Sequence, residues 1–283
     1  MKNTFLVLLS LLLGSVVCFS DEVVTFPAYV DSDLCARLML GPITEARVSC
    51  SEKTHKEGSN AVVVRLKDNI VFDVNKEKMV KDRIGKFAAV TGEVKLKSGE
   101  LKLQDVKPLE SGDIPPGDPS RKLLDVRTFK AQGSAQTFEK VRHELAMMPY
   151  ISVFDFISFT MVGEDVILTG WTVRQTNRYE AYNRVKLIEG VGEVSNNIEV
   201  LPLGSTDMQI RAAARAALQR YLSRYFWGSG SDIKIVVKNG NIILLGSVAS
   251  KADSDIANIQ CNSVPFAFHV FNLLRIQGPA KKG

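Results

Sequence analysis

The residues of this sequence best suited to chemistry are four cysteines, three histidines and a group of arginines beside aromatic residues. The cysteines contain no C-x-x-C pair, which argues against a structural zinc site. The sequence also lacks a G-x-S-x-G, H-E-x-x-H or G-x-x-x-x-G-K motif, the signatures of common hydrolases and phosphate-binding enzymes. We therefore expect a protein that is not an enzyme and that needs neither a cofactor nor a metal.

Two of the cysteines, Cys35 and Cys50, lie close together in the N-terminal part of the chain. In an oxidising compartment such a pair can form a disulfide, so the sequence leaves a bridge and two free thiols both open. Cys261 then has no partner. We interpret it as a small buried apolar residue rather than a reactive thiol.

The arginines belong to a predicted helix over residues 206–226. A helical wheel places one set of residues on a single arc: Ile210, Ala214, Ala217, Tyr221 and Tyr225. Arg211 and Arg215 flank this arc on one side, and Arg220 and Arg224 flank it on the other. Such an arc fits a helix that faces a protein core and also a helix that lies on a membrane.

The end of this helix is the candidate binding site. Arginines beside an apolar arc, followed by aromatic residues, are typical of a helix at an anionic lipid interface. The candidate lipid contacts are Arg220, Arg224, Tyr225, Phe226 and Trp227. A further aromatic residue, Trp171, is either an exposed partner contact or a filler between neighbouring units.

The N-terminus indicates export. A positive Lys2 precedes an apolar run over residues 5–17, which is too short to span the roughly 30 Å hydrocarbon core of a bilayer. A secretory signal peptide over residues 1–20 fits this pattern. Lipid attachment at Cys18 is disfavoured, because Val17 stands where lipoprotein signals carry a small residue. We expect a periplasmic or otherwise exported protein that is peripheral to a membrane.

A segment rich in proline and glycine, residues 110–130, predicts a linker. The charge changes across it, from a net of −1 over residues 21–115 to a net of +5 over residues 116–283. The excess positive charge therefore lies in the C-terminal half. Residues 278–283 read as a disordered tail.

The N-terminal domain, residues 21–109, shows short β-rich runs. We predict strands over residues 43–53, 61–66 and 70–74, a helix over 75–83 and a hairpin over 87–106. Three strands, a helix and two strands is the order of an OB-type barrel. Such barrels often bind nucleic acid through stacked aromatic residues and a basic groove. This domain has balanced charge and few aromatic residues on its strands, so we do not expect nucleic acid as a partner.

The C-terminal half contains an internal repeat with a constant offset of 76 residues. Each copy predicts helix, strand, strand, helix and strand, over residues 131–203 and 204–277. In the second copy, Thr206 and Gln209 suggest a capping box, and Asn239-Gly240 predicts a two-residue hairpin. Matching blocks include 166–173 with 242–249 and 194–200 with 270–276.

The repeated unit resembles the BON domain, here in tandem. The resemblance depends on Gly170 and Gly246 at the ends of apolar strands, an alanine in each second helix, and the segment 189–196 before the last strand. The second copy departs from it at residues 262–265. The resemblance implies a bacterial envelope protein that associates with membrane or phospholipid, helps to maintain the envelope and has no catalytic activity.

We expect an α+β protein, with an N-terminal OB-like β-barrel followed by two αββαβ modules. Its expected partner is an anionic phospholipid membrane surface. The alternative is a protein–protein adaptor that binds an envelope partner and does not respond to lipid charge.

Overall fold

The computed structural model describes residues 23–40, 43–95, 99–115, 118, 135–227 and 232–277. The predicted signal peptide, Cys18, most of the predicted linker and the tail lie outside these residues. The described chain forms a closed barrel followed by two mixed helix–strand modules, so the α+β prediction is confirmed.

Over its described residues, the barrel domain contains five strands and two α-helices. In chain order they are β1 Val23–Ser32, α1 Asp33–Leu38, α2 Glu45–Lys56, β2 Ala61–Arg65, β3 Val71–Val74, β4 Phe87–Lys95 and β5 Glu100–Pro108. The strands close in the order β1-β2-β3-β5-β4, because β1 pairs with β4 through its first half and with β2 through its second. This arrangement is consistent with an OB-like barrel. Packing also extends past residue 109, since Ile114 is buried beside Tyr29 and Leu66.

The prediction of a strand over residues 43–53 is wrong, because this segment forms α2. Thr44 caps the helix by accepting a hydrogen bond from the Arg47 backbone N–H at 3.2 Å. The buried face of α2 is polar and consists of Arg47, Ser51 and Thr54. Arg47 reaches a buried Asp31 at 2.8 Å. Apolar periodicity could not reveal a helix whose inward face carries an ion pair and hydroxyl groups.

The prediction of a helix over residues 75–83 is also wrong. Two short 3₁₀ turns, Glu77–Met79 and Lys81–Arg83, occupy this segment. The Asn75 side chain does not cap them, since it accepts a hydrogen bond from the Leu103 backbone N–H at 2.9 Å. The first strand of the barrel is β1, which the sequence prediction did not include. Pro27 interrupts its apolar run.

The two modules repeat one order of elements. The first contains α3 Ala135–Ala146, β6 Phe156–Val162, β7 Asp165–Thr172, α4 Gln175–Val185, β8 Val194–Asn196 and β9 Glu199–Val200. The second contains α5 Ser205–Leu222, β10 Ile233–Lys238, β11 Asn241–Val248, α6 Lys251–Asn262, β12 His269–Asn272 and β13 Arg275–Ile276. In each sheet the second strand is central, antiparallel to the first strand and parallel to the last two segments.

Equivalent residues do the same structural work in both modules. Asn196 and Asn272 interrupt the last strand, and each side-chain oxygen accepts a hydrogen bond from the backbone two residues later. In the loop that departs from the resemblance, Phe266 adopts φ +67°, at the position where the first module has Gly190 at +90°. The loop therefore keeps the left-handed conformation without the glycine.

The predicted capping box at Thr206 and Gln209 is wrong. The N-cap of α5 is Gly204, which has no side chain that could accept a hydrogen bond from the first turn of the helix. The predicted hairpin at Asn239-Gly240 is present between β10 and β11, with both residues at positive φ. Asp207 in the first turn of α5 accepts both backbone N–H groups of this turn, at 3.0 and 2.8 Å.

The faces of the two sheets that their own helices do not cover pack against one another and against α1. This shared core contains Trp171 from the first module, Leu34 from α1, and Val236, Ile243 and Leu245 from the second module. Trp171 is 1% exposed, so it fills the space between domains and is not an exposed contact. A second cluster, with Val62, Val64 and Ile167 among its members, joins the outer face of the barrel to the first module.

A charge network lies at the same junction. The Glu199 carboxylate of the first module accepts the Trp171 indole N–H at 3.0 Å and lies 3.1 Å from Lys238 of the second module. It also lies 3.3 Å from Arg37 of the barrel domain, and Asp33 pairs with both cations. Burial by itself raises the pKa of Asp33, but the Arg37 and Lys238 charges outweigh it and the pKa is lowered.

The glycine at the end of each central strand is required by space as well as by backbone angle. A Cβ at Gly246, where φ is +102°, would lie 1.9 Å from the Asp232 carbonyl oxygen. Gly246→Ala should lower the free energy of unfolding by more than about 1 kcal/mol, measured by chemical denaturation. Gly58→Ala is the matched control, because Gly58 has φ +103° but open space around its Cβ position. Equal losses in the two variants would contradict the steric argument.

Glu199→Ala should weaken the coupling of the barrel to the modules, because it removes the acceptor of the Trp171 indole N–H and one of the two carboxylates that pair with both Arg37 and Lys238. Hydrogen bonds to charged groups contribute about 1.5–3 kcal/mol each, so we expect a loss of that order and a second unfolding transition in calorimetry. Glu180→Ala is the control, since Glu180 pairs with Arg184 on a single helix and exposed pairs contribute little. A single unfolding transition with unchanged midpoint would show that Glu199 does not couple the domains.

Candidate functional site

The buried face of α5 differs from the arc expected from the sequence. Ile210, Ala214, Leu218 and Leu222 are buried against the core of the second module. Ala217 is half-buried, and Tyr221 is 56% exposed. The inward stripe therefore runs through Leu218 and Leu222, and Tyr221 points to the surface.

Tyr225, one of the expected lipid contacts, belongs to the core. It is buried, and its hydroxyl donates to the Asp253 carboxylate at 2.9 Å and accepts from the Ala249 backbone N–H at 2.8 Å. Phe226 is partly buried and packs against the same core. Because both rings pack against the core, Tyr225 is not available as an exposed contact, and Phe226 is available only in part.

Four residues remain together at the surface where α5 ends: Arg220, Tyr221, Arg224 and Trp227. We call them the α5 patch. Trp227 is 77% exposed, and Arg220 is also exposed. Arg220 and Tyr221 lie in the last turn of α5, and Arg224 and Trp227 lie in the 3₁₀ turn Ser223–Phe226 and directly after it. The patch thus presents two aromatic rings and two guanidinium groups to the outside.

The two arginines of the α5 patch differ in whether a carboxylate pairs with them. Arg224 forms an ion pair with Asp253 at 2.6 Å and a hydrogen bond with the Tyr225 hydroxyl at 2.9 Å. The hydrogen bond with the Ser250 hydroxyl is the largest effect that lowers the pKa of Asp253, and Tyr225 and Arg224 lower it further. Arg224 therefore has its charge balanced, whereas Arg220 has no carboxylate within 4.0 Å among the described residues.

The other two arginines on α5, Arg211 and Arg215, differ in their exposure. Arg211 is 4% exposed and donates to the backbone carbonyls of Val237, at 2.8 Å, and Pro202. Burial lowers the pKa of Arg211. Arg215 is exposed and lines a groove of about 390 Å³ whose other walls are mostly apolar, with Leu203 and Met208 among them. The first half of α5 thus borders this groove, whereas the exposed residues at the end of α5 are aromatic and basic.

The cysteines occupy structural positions. Cys35 and Cys50 are bridged, which joins α1 to α2. Cys261 is fully buried in the core of the second module, and burial raises the pKa of its thiol to about 12. Over the part of the chain that the structure describes, no group of three or more histidine, cysteine or acidic side chains could hold a metal ion. No helix in that part has the length and apolar character needed to cross a membrane.

The sequence did not reveal the division between inward and outward residues at the end of α5. The partner that anchors Tyr225 and Arg224 is Asp253, 28 positions after Tyr225 and on a different helix. One signal was present: Leu218 and Leu222 follow Ile210 and Ala214 at a constant step of four residues, and their side chains are larger and more apolar than that of Ala217.

Comparison with known proteins places the repeat in a family. The BON domain model matches twice, over residues 134–202 and 206–278. No curated protein matches the chain. Two solved structures of CdsD, a structural protein of the type III secretion system of Chlamydia trachomatis, show a likeness at 10% identity and a TM-score of 0.21. The likeness covers 50% of this chain and 98% of the CdsD C-terminal domain in one, and 51% and 94% in the other.

A TM-score of 0.21 is too low for the likeness to CdsD to support an inference. The two family matches stand independently of it. BON domains suggest a periplasmic or envelope protein and a non-catalytic role. Because two tandem matches cover half of its length and coincide with the two modules of the fold, the chain belongs to the BON domain family.

Proposed function

We propose that this protein binds an anionic phospholipid membrane surface through the α5 patch and so helps to maintain the cell envelope. The observation that carries the proposal is the exposure of Trp227, 77%, at the same end of α5 as the exposed cation Arg220. Tryptophan has an apolar body and a polar N–H, and it is favoured at membrane–water interfaces for that reason.

The charge of the surroundings supports an anionic partner. Residues 116–283 carry a net charge of +5, and each basic residue near an anionic membrane contributes about 1 kcal/mol. Arg220, which has no carboxylate within 4.0 Å among the described residues, is the main local contributor, since Asp253 already balances Arg224. Exposed Met208 in the first half of α5 and exposed Leu203 just before this helix add apolar surface nearby.

The rival function is a protein–protein adaptor without lipid binding. It would use the same exposed aromatic residues against a protein, so the α5 patch does not distinguish the two functions by itself. The response to lipid charge does, because attraction to anionic lipid weakens as salt shortens the Debye length, from about 10 Å at 0.1 M to about 3 Å at 1 M.

Co-sedimentation of the full chain with anionic and neutral liposomes tests the proposal. The barrel packs against both modules, so the full chain is the appropriate sample. We expect pelleting with anionic vesicles that decreases with salt and is weak with neutral vesicles. Arg220→Ala removes one unpaired charge and should weaken binding about fivefold, and Trp227→Ala should weaken it further.

Arg215→Ala is the matched control, because it removes an exposed arginine from another side of the same helix. Arg224→Ala is less informative, since it also breaks the ion pair with Asp253. Equal losses in the Arg215 and Arg220 variants would mean that net charge, and not the α5 patch, determines binding. Failure to pellet at low salt would contradict the membrane function and favour the adaptor.

A further inference from the structure

The first strand of the first module has an unusual edge. Strand β6, with the sequence Phe-Ile-Ser-Phe-Thr-Met-Val, carries no charge and no proline. It lies at the end of its sheet, and among the described residues its backbone pairs only with β7. Folded proteins usually protect such an edge with lysine, proline or a bulge, because its free N–H and C=O groups can pair with another chain.

The equivalent strand of the second module has this protection. In β10, with the sequence Ile-Lys-Ile-Val-Val-Lys, two lysines occur, Lys234 and Lys238. The backbone N–H of Ile235 also donates to the Val153 carbonyl at 2.8 Å. At the offset of 76 residues, Ser158 and Val162 of β6 stand where β10 has its lysines. The repeat therefore isolates one difference between the modules, namely an unprotected edge in the first.

The β6 edge borders an open cleft. A groove of about 460 Å³ runs between α3, β6 and the start of β10, and a second of about 370 Å³ continues it towards α1 and Cys50. Both grooves include Phe156, Ser158, Gly246 and Ser247. We call the two together the β6 cleft. Its walls are mostly apolar, with Leu145, Met148 and Leu273 among them.

The charges along the β6 cleft are mainly positive. Arg142, Lys234 and Arg275 line it, against Asp232. Arg142 is engaged by Glu139. Lys234 donates to the Ser152 carbonyl at 3.3 Å, and neither it nor Arg275 has a carboxylate within 4.0 Å among the described residues. Burial lowers the pKa of Lys234, and the charges of Asp155 and Asp232 only partly offset this effect.

We infer that the β6 cleft binds an extended, acidic segment of a partner protein, which adds a strand to the β6 edge. Main-chain hydrogen bonds to β6 supply affinity, and alternate side chains of the segment enter the apolar walls. Carboxylates on the segment meet Lys234 and Arg275. The site is separate from the α5 patch, so it holds whether or not the protein binds a membrane.

Amide hydrogen exchange of the full chain, with and without a synthetic peptide, tests the inference. The probe is an acetylated peptide of about six residues, a common strand length, in which valine alternates with glutamate. At ten times its Kd, the peptide should slow exchange of the outward β6 amides about tenfold. A peptide in which lysine replaces glutamate should protect these amides less.

Ser158→Lys copies the protection that the second module has at the equivalent position, so it should abolish the effect of the peptide and preserve the fold. Thr176→Lys is the matched control, because it adds the same charge to an exposed position on α4, and it should bind the peptide normally. Circular dichroism checks that both variants remain folded.

Several results would overturn the inference. They are an unchanged exchange rate with the peptide, equal protection in the Ser158→Lys variant, or protection of the outward β6 amides already in the free protein. Sedimentation velocity tests whether a second copy of the chain occupies the β6 edge instead. A dimer that the Ser158→Lys substitution dissociates would mean that β6 pairs with a second copy.

Discussion

Burial of both faces of each module sheet is the constraint on which the rest of this structure depends. In β11, Ile242 and Leu244 face the helices of the module, whereas Ile243 and Leu245 face away from them and are equally buried. A sheet that is apolar on both faces must be covered on both. Two helices cover one face, so the other has to find cover in a neighbouring domain, and it does so around Trp171.

This requirement explains why the barrel, the disulfide and the charge network meet at one place. Helix α1 supplies Leu34 to the shared core, and the bridge from Cys35 to Cys50 holds this short helix against α2. The ion pairs around Glu199 then satisfy the polar groups that the contact desolvates, which is the condition for burying charge without a large loss of stability. The barrel therefore serves as part of the scaffold. Its outer surface at β2 is occupied by the first module.

Much of the fold could be predicted from the sequence, because the modules follow simple rules. The order of elements, the turn at Asn239-Gly240 and the glycines at the ends of β7 and β11 all appear in a repeat with constant spacing. Helix α2 could not be predicted, because its buried residues Arg47 and Thr54 are polar and apolar periodicity is the main signal. The exposed end of α5 was predicted in position but not in orientation. Only the contact between Tyr225 and Asp253 settles which aromatic ring faces inward.

The same constraint limits where this protein can meet a partner. Most of the helix-free faces of the sheets and the outer face of the barrel at β2 are already covered within the chain. Two surfaces that stay open among the described residues are the end of a helix and the edge of a strand. These surfaces suit different chemistry, since a helix end with tryptophan and arginine matches a lipid interface, whereas a strand edge has backbone groups to satisfy. Because these two surfaces share no residue, the proposed protein segment and the proposed membrane contact do not compete for the same side chains.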